Sequence, residues 1–155
     1  MTADKLDVAG VVAPPPLIYV AGFAAGMVVQ HFHPIPVLPG ITGTVVGAVL
    51  VVGALLLAPA VLAFKRAGTR PEPWKPTTAL VVSGPYRFTR NPMYVGFTLA
   101  YAGAALCLHA GWPLALLPVV LVAMHYGVIA REERYLARLF GAEFDAYRAR
   151  VRRWI

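Results

Sequence analysis

The sequence predicts an all-α membrane protein, a polytopic bundle of about four transmembrane helices with a C-terminal amphipathic helix on the membrane surface. The 155 residues are 59% hydrophobic and only 14% charged, whereas soluble domains carry about 25% charged residues. Charged side chains are absent from residues 8–64 and 91–130. Each stretch is long enough for two helices of the roughly 20 residues that cross a bilayer.

The charged residues fall into three groups: at the N-terminus, within residues 65–90, and within residues 131–153. Four spans would place all three groups on one side of the membrane. All but one of the 14 Lys and Arg lie in the second and third groups, so the positive-inside rule predicts that this side and both termini are cytoplasmic. We therefore expect an integral protein of a bacterial inner (cell) membrane.

The net charge of +7 is expected to attract anionic membrane lipids. No basic stripe belongs to a soluble domain, so nucleic acid is not an expected partner. We expect one membrane domain over residues 1–155. The predicted segments are, in order, spans at residues 17–32 and 41–64, a cytoplasmic loop at 65–91, spans at 92–109 and 114–130, and cytoplasmic helices at 131–153.

Proline-rich turns separate the first two spans, because prolines end helices. Two Gly-xxx-Gly patterns, Gly22 with Gly26 and Gly43 with Gly47, permit close helix packing. We expect them to pack spans one and two together within one chain rather than to form a dimer, although the sequence does not specify the oligomeric state. Gly141 is the predicted C-cap between the two cytoplasmic helices.

Soluble-enzyme and metal signatures are absent from the sequence. Cys107 is the only cysteine and lies within an apolar run, which excludes an intrachain disulfide. His31 and His33 lack a third ligand nearby, and no zinc-spaced Cys/His set occurs. The sequence therefore predicts no metal site.

The segment 84–96 is polar and basic and runs directly into the third span. Asn91-Pro92 is a favourable helix start, because Asn caps helices and Pro suits their first turn. A helix N-terminus attracts anionic groups, and Arg87 and Arg90 add fixed positive charge. We therefore expect a polar ligand at this helix end.

Three hydroxyl-bearing residues of the third span, Tyr94, Thr98 and Tyr101, share one face at helical spacing. They are candidates for ligand contacts. The alternative is an interfacial aromatic role for Tyr94 and helix packing for the other two.

The fourth span offers His125 and Glu132, seven residues apart and therefore expected on one face. An ionisable residue within a span is a functional candidate, although His125 can also serve only to hydrogen-bond a neighbouring helix. Glu132 and Glu133 have an alternative as well, a solvated helix face paired with Arg131, Arg134 or Arg138.

Three motifs follow one another in the second half of the chain. They are Ser83-Gly84-Pro85-Tyr86 with Arg90-Asn91-Pro92-Met93-Tyr94-Val95-Gly96, then Glu132-Glu133-xx-Leu136, and then Phe140-Gly141-xx-Phe144-xx-Tyr147 with Val151-x-Arg153. In this order and spacing, residues 68–153 resemble the isoprenylcysteine carboxyl methyltransferase family and the related phospholipid N-methyltransferases. The first two spans carry no motif of this kind and resemble apolar helical hairpins in general.

The resemblance implies an integral membrane enzyme that uses S-adenosylmethionine and methylates a lipophilic or lipid acceptor. The cofactor pocket would face the cytoplasm, between the last two spans, the loop before them and the C-terminal helix. By matching positions, the cofactor-binding residues would be Thr78, Ala79, Leu80, Val81, Tyr86, Asn91, Pro92, Met93, Tyr94 and Glu132.

The chemistry of this cofactor suits those residues. Its carboxylate fits the helix end and Arg90, its ammonium and ribose fit Glu132, and its sulfonium and adenine fit an aromatic wall such as Tyr86 and Tyr94. Methyl transfer needs alignment and a dry pocket more than a strong acid or base.

Arg90, His125 and Glu133 are the candidate catalytic residues. A carboxylate or thiolate acceptor needs no base, whereas an amine acceptor must lose a proton, for which His125 or Glu133 is the candidate. Arg90 supplies fixed positive charge.

The chain departs from the family pattern at two positions. The family often has His where Asn91 stands, so a role that requires imidazole is not expected there. Isoprenylcysteine enzymes carry an Arg four residues before the matching Glu, which helps to bind their substrate carboxylate. Val128 occupies this position, which weakens the case for a prenylcysteine substrate.

Two other functions remain open. Membrane reductases of the sterol-reductase type share a similar Arg-His-Pro-x-Tyr-like element and bind a reduced nicotinamide dinucleotide, but they are much longer. A small helical bundle can also serve as a non-catalytic scaffold.

Overall fold

The computed structural model describes residues 8–37 and 43–154, so residues 41 and 42 of the predicted second span lie outside it. The described residues form helices, as the sequence predicts. The six α-helices are α1 Pro15–Phe32, α2 Gly43–Arg66, α3 Pro92–Cys107, α4 Gly111–Met124, α5 Ala130–Phe140 and α6 Ala142–Arg150. A 3₁₀ turn at Gly84–Arg87 precedes α3, and a π-helical turn at His125–Ile129 joins α4 to α5.

Within residues 8–37 and 43–154, three helices are long and apolar enough to cross a membrane. They are Pro15–Phe32, Thr44–Arg66 and the continuous helix Gly111–Phe140, which comprises α4, the π-helical turn and α5. At 16 residues, α3 is only about 24 Å long. It nevertheless connects the two ends of the bundle, since the turn after it leads to Gly111 at the start of α4, whose N–H donates to the carbonyl of Ile35, just beyond α1, at 2.9 Å. The predicted polytopic helical bundle is confirmed.

The helices pair differently from the prediction. α1 packs on α4, and α2 packs on α3. The prediction that the two glycine patterns join spans one and two is therefore wrong. A Cβ added at Gly26 would lie 2.7 Å from Pro113 Cα of α4, whereas a Cβ added at Gly47 would meet no atom within 4 Å. Gly26 therefore permits the close approach of α1 to α4.

The contact between α2 and α3 depends on two facing glycines. A Cβ added at Gly96 would lie 3.1 Å from the Gly53 carbonyl oxygen, and one added at Gly53 would lie 3.3 Å from the Gly96 carbonyl oxygen. The two backbones can approach this closely because neither residue has a side chain. This crossing fixes the first half of α3, which carries Tyr94, against α2.

Polar groups of α3 tie the bundle together. The Tyr101 hydroxyl donates to the Pro113 carbonyl at 2.9 Å, and Thr98 Oγ1 lies 2.9 Å from the Tyr19 hydroxyl of α1. Thr98 and Tyr101 therefore serve helix packing, which is the alternative that the sequence left open for them. Apolar side chains such as Val119 and Leu55 are exposed, as expected of helices that face lipid.

The second and third charged groups meet at one end of the bundle, which we call the charged end. The first group lies before residue 8, outside the described residues. Arg131 Nη1 donates to the Gly10 carbonyl at 2.9 Å, and Arg90 Nη2 lies 2.9 Å from Glu133 Oε1. These contacts join the N-terminal segment, the 65–91 loop and the end of the long helix. The cytoplasmic orientation of this end stays a prediction.

The C-terminal segment differs in length from the prediction. Gly141 has a φ of +49°, which glycine tolerates, and it separates α5 from α6 as predicted. α6 ends at Arg150, not at residue 153. Residues 151–154, which we call the tail, turn back to the start of α3, where Arg90 N–H donates to the Arg152 carbonyl at 2.9 Å.

Candidate active site

A cavity opens at the charged end between the loop before α3, the first turn of α3, α5 and α6. It encloses about 830 Å³ of space free of protein atoms, including its open mouth. Its lining residues are Ala9, Phe64, Arg70, Pro71, Glu72, Pro73, Thr77, Ala79, Leu80, Val81, Tyr86, Arg90, Asn91, Met93, Tyr94, Glu132, Glu133, Tyr135, Leu136, Phe144 and Tyr147.

Glu132 is held by Tyr94 at the inner side of the cavity. The Tyr94 hydroxyl donates to Glu132 Oε1 at 2.7 Å, a short bond of the charge-assisted kind. Tyr94 is buried, and its carbonyl accepts a hydrogen bond from the Tyr19 hydroxyl of α1 at 3.2 Å. Glu132 is therefore not part of a solvated helix face, and that alternative is wrong for it.

Glu133 joins two arginines that are distant in sequence. Its Oε1 accepts from Arg90 Nη2 at 2.9 Å and from Arg153 Nε at 3.0 Å, and its Oε2 accepts from Arg153 Nη2. The hydrogen bond to Glu133 raises the pKa of Arg153, so its guanidinium stays charged. The cluster of two guanidinium groups and one carboxylate carries a net charge of +1. Glu133 thus pairs with arginines, but not with the neighbouring Arg131, Arg134 or Arg138 that its alternative names.

Buried aromatic side chains form the rest of the wall. Tyr86, Tyr135, Phe144 and Tyr147 all line the cavity and are buried, and the Tyr147 hydroxyl donates to the Tyr86 carbonyl at 2.8 Å. Burial raises the pKa of Tyr147 to about 12. Burial, reinforced by the Glu132 carboxylate, also raises the pKa of Tyr86. Both phenols stay neutral at physiological pH, and aromatic faces beside a carboxylate suit a cationic ligand.

Most of the residues that the sequence predicts at a cofactor site line this one cavity. They are Ala79, Leu80, Val81, Tyr86, Arg90, Asn91, Met93, Tyr94 and Glu132, together with the catalytic candidate Glu133. Besides His125, three predicted contributors do not line it. Thr78 is exposed and donates its N–H to Thr69 Oγ1 at 3.0 Å, Pro92 is buried in the first turn of α3, and Arg87 is exposed.

Asn91 stands at the predicted helix start, but its side chain does not cap α3. Its Nδ2 instead donates to the Arg153 carbonyl at 2.9 Å, and its backbone N–H donates to Thr89 Oγ1 at 3.2 Å. The capping prediction is wrong because the returning tail supplies an acceptor that the sequence pattern does not reveal.

His125 does not reach the cavity. It lies half-buried at the start of the π-helical turn, with its ring 4.8 Å from that of Tyr126. A π-helical turn takes up one extra residue, so His125 and Glu132 are separated by roughly 120° around the helix instead of sharing a face. The shared-face prediction is wrong for this reason, and no hydrogen bond within the described part of the chain links the His125 side chain to the site.

Several site residues escape prediction from the sequence. Tyr135, Phe144 and Tyr147 belong to segments expected at the surface, and Arg153 lies 20 residues from its partner Glu133. The resemblance places the C-terminal helix at the pocket and includes Phe144, Tyr147 and Arg153 in its third motif, but it assigns them no role. The three-residue spacing of Phe144 and Tyr147, which puts both on one face of a helix, is the signal that marks them.

The family model for phospholipid methyltransferases matches residues 41–143. This range covers about two thirds of the chain and includes Arg90, Tyr94, Glu132 and Glu133. The chain belongs to the phospholipid methyltransferase family. It is therefore an enzyme, an integral membrane methyltransferase, and the resemblance noted in its motifs is confirmed. None of the curated proteins compared with the chain matches it.

The matched range leaves out two parts of this methyltransferase that support the site. One is α1, whose Tyr19 holds the Tyr94 carbonyl. The other is the tail, whose Arg153 binds Glu133. Family membership favours methyl transfer over both the reductase and the scaffold alternatives.

Proposed function

We propose that this methyltransferase uses S-adenosylmethionine as its methyl donor and methylates a lipophilic or membrane-partitioned acceptor. Family membership supports methyl transfer in a membrane. The donor is supported by the cavity at the charged end, and the class of acceptor by the apolar surface that adjoins it.

The observation that carries the proposal is the separation of charge within one cavity. Glu132 supplies an anionic side, and the cluster of Arg90, Glu133 and Arg153 supplies a cationic side. The amino-acid end of S-adenosylmethionine carries an ammonium and a carboxylate, so Glu132 would hold the ammonium and Arg90 the carboxylate. The aromatic wall, including Tyr86, suits the sulfonium and the adenine.

When bound, S-adenosylmethionine supplies an electrophilic methyl group on a sulfonium. The protein's task is then to align donor and acceptor and to exclude water. Tyr94 fixes Glu132, and the buried side chains of Phe144 and Tyr147 shield the cavity. Among the candidate bases, His125 lies outside the cavity and both oxygens of Glu133 accept bonds from arginine, so the site favours an acceptor that reaches it with its nucleophile already deprotonated.

An outward-facing apolar groove supports a lipophilic acceptor. Side chains of α1 and α3 line it, among them Tyr19, Phe23 and Phe97. The Tyr19 hydroxyl bonds the carbonyl of Tyr94, whose side chain lines the cavity. A hydrocarbon chain in this groove would therefore lie beside the donor site, which supports lateral approach from the membrane.

Binding of S-adenosylhomocysteine tests the donor assignment. We expect saturable binding to the purified wild-type protein, and Glu132→Gln to weaken it roughly tenfold or more, because a hydrogen bond to a charged group contributes about 1.5–3 kcal/mol. Glu143→Gln is the matched control, since Glu143 is exposed on α6 and its loss should leave the affinity unchanged.

Two results would contradict this function. One is the absence of saturable binding to the wild type, and the other is an unchanged affinity of Glu132→Gln. Thermal stabilisation by a reduced nicotinamide dinucleotide, without stabilisation by S-adenosylhomocysteine, would favour the reductase alternative instead.

A further inference from the structure

Resting on the proposed function, we propose that Arg153 of the tail sets the charge of the cofactor site. It neutralises Glu133 and thereby leaves the positive charge of Arg90 available to the carboxylate of a ligand in the cavity. Arg153 itself does not line the cavity. It is thus a positioning residue that acts through Glu133.

Arg153 makes more hydrogen bonds to Glu133 than Arg90 does. Arg153 donates to both carboxylate oxygens, whereas Arg90 donates to one. Such a two-point arginine–carboxylate contact is among the stronger ion pairs in proteins. Arg90 directs its other terminal nitrogen to the Arg148 carbonyl at 3.2 Å, so Glu133 is the only anion that it contacts among the described residues.

The contact between Arg153 and Glu133 determines the net charge of the cluster. With Arg153 present the cluster is +1; without it, Arg90 and Glu133 form a neutral pair. The side chains of Arg90 and Glu133 are only 13% and 19% exposed, so solvent screens the change weakly. Arg70 also lines the cavity but is exposed, where screening is stronger.

The tail does not depend on the Arg153 side chain for its position. The Arg153 carbonyl accepts hydrogen bonds from Thr89 Oγ1 at 3.1 Å and Asn91 Nδ2 at 2.9 Å. Trp154 packs against the core of the bundle. A side-chain substitution at Arg153 therefore removes the charge and leaves these anchors in place.

Arg152 offers a matched control one residue away. Its side chain is exposed and makes no hydrogen bond or ion pair with the described residues, whereas its carbonyl accepts the Arg90 N–H. Arg152→Gln changes the net charge of the tail by the same amount as Arg153→Gln. Only Arg153→Gln alters the charge that Arg90 presents to the cavity.

The test compares two ligands that differ in the amino-acid end. S-adenosylhomocysteine carries the carboxylate, and 5′-methylthioadenosine lacks it. We expect Arg153→Gln to lower the affinity for S-adenosylhomocysteine about tenfold, which corresponds to about 1.4 kcal/mol. The dissociation constant of 5′-methylthioadenosine should stay unchanged. Arg153→Lys and Arg152→Gln should bind both ligands like the wild type.

A charge-restoring double variant separates this role from a structural one. Glu133→Gln combined with Arg153→Gln leaves Arg90 as the only charge of the cluster and returns it to +1. We expect this double variant to recover most of the affinity for S-adenosylhomocysteine. A purely structural contribution of Arg153 would not be restored by a second substitution in the same cluster.

The outcomes distinguish this inference from the proposed function. A wild type that does not bind S-adenosylhomocysteine contradicts the proposed function and, with it, the inference. Two results would overturn the inference alone, provided that the wild type binds S-adenosylhomocysteine. One is an Arg153→Gln variant with the same affinity as the wild type, and the other is a variant whose affinities for both ligands fall equally. Arg153→Met, which keeps the aliphatic stem, provides the same loss of charge should the Gln variant fold poorly.

Discussion

Tyr94 links the membrane bundle to the cavity. Its hydroxyl holds Glu132 at 2.7 Å, and its carbonyl accepts bonds from Tyr19 and Thr98. Because Tyr94 is buried in α3, the position of Glu132 depends on helix packing rather than on a mobile loop. A carboxylate fixed in this way is pre-organised for a cationic ligand.

Removal of two tyrosine hydroxyls should separate ligand binding from stability. Tyr94→Phe deletes the donor to Glu132 and should lower the affinity for S-adenosylhomocysteine several-fold to roughly tenfold. Tyr101→Phe deletes the bond to the Pro113 carbonyl and should cost about 1 kcal/mol of stability without a change in affinity. Calorimetric titration and thermal unfolding in detergent measure the two effects, and equal affinities for the two variants would contradict the role of Tyr94.

Some site residues can be predicted from the sequence and others cannot. Arg90, Tyr94 and Glu132 are recognisable because they flank long uncharged stretches and carry family motifs. Arg153 belongs to the third motif, but its role cannot be predicted, since its contact with Glu133 requires the tail to fold back to the start of α3. His125 is misplaced because a spacing of seven residues does not reveal a π-helical turn.

At the scale of the helices, glycine positions decide which elements pair. Gly26 meets Pro113 of α4, and Gly53 meets Gly96 of α3. A Gly-xxx-Gly pattern marks a surface that permits close approach, but the sequence does not specify which helix fills it. Pairing of spans one and two fits the pattern as well as pairing of α1 with α4 does. Only the three-dimensional arrangement identifies α4 as the partner of α1.

Alanine substitutions at two glycines test this pairing. Gly26→Ala would place its Cβ 2.7 Å from Pro113 Cα, a backbone atom that cannot move aside, so we expect a loss of about 1–3 kcal/mol. Gly47→Ala meets open space and should leave stability unchanged or raise it by up to about 1 kcal/mol, because alanine favours the helix.

Thermal unfolding in detergent compares these two variants with the wild type. A Gly26→Ala protein as stable as the wild type would contradict the packing of α1 on α4. Destabilisation by Gly47→Ala of the same size would instead indicate that α2 has a partner at that position.

For the whole molecule, hydropathy and charge distribution are the properties that the sequence specifies best. Charge-free residues 8–37 and 91–130 lie in or beside the membrane-crossing helices, and the charged groups within residues 65–90 and 131–153 gather at one end. Burial in lipid forces helical structure, since every backbone group must be satisfied within its own segment. The order in which the helices pack is not forced in this way, which explains why fold class was predictable and pairing was not.

The whole enzyme places a polar cavity, the proposed donor site, at the end of an apolar bundle. The cavity opens beside the charged loop and tail, whereas the groove of α1 and α3 faces outward along the bundle. This division suits a water-soluble donor and a lipophilic acceptor that reach the reaction from different phases. The predicted cytoplasmic orientation of the charged end would give the proposed donor site access to the cell interior.

Transfer of an isotopically labelled methyl group tests the central claim most directly. The purified protein is placed in vesicles of total bacterial membrane lipid and incubated with S-adenosylmethionine that carries the label on its methyl group. We expect the wild type to move the label into material that partitions into organic solvent, and Glu132→Gln to lose most of this transfer while Glu143→Gln retains it. Label that stays entirely in the aqueous phase with the wild type, or equal transfer by Glu132→Gln, would contradict the claim.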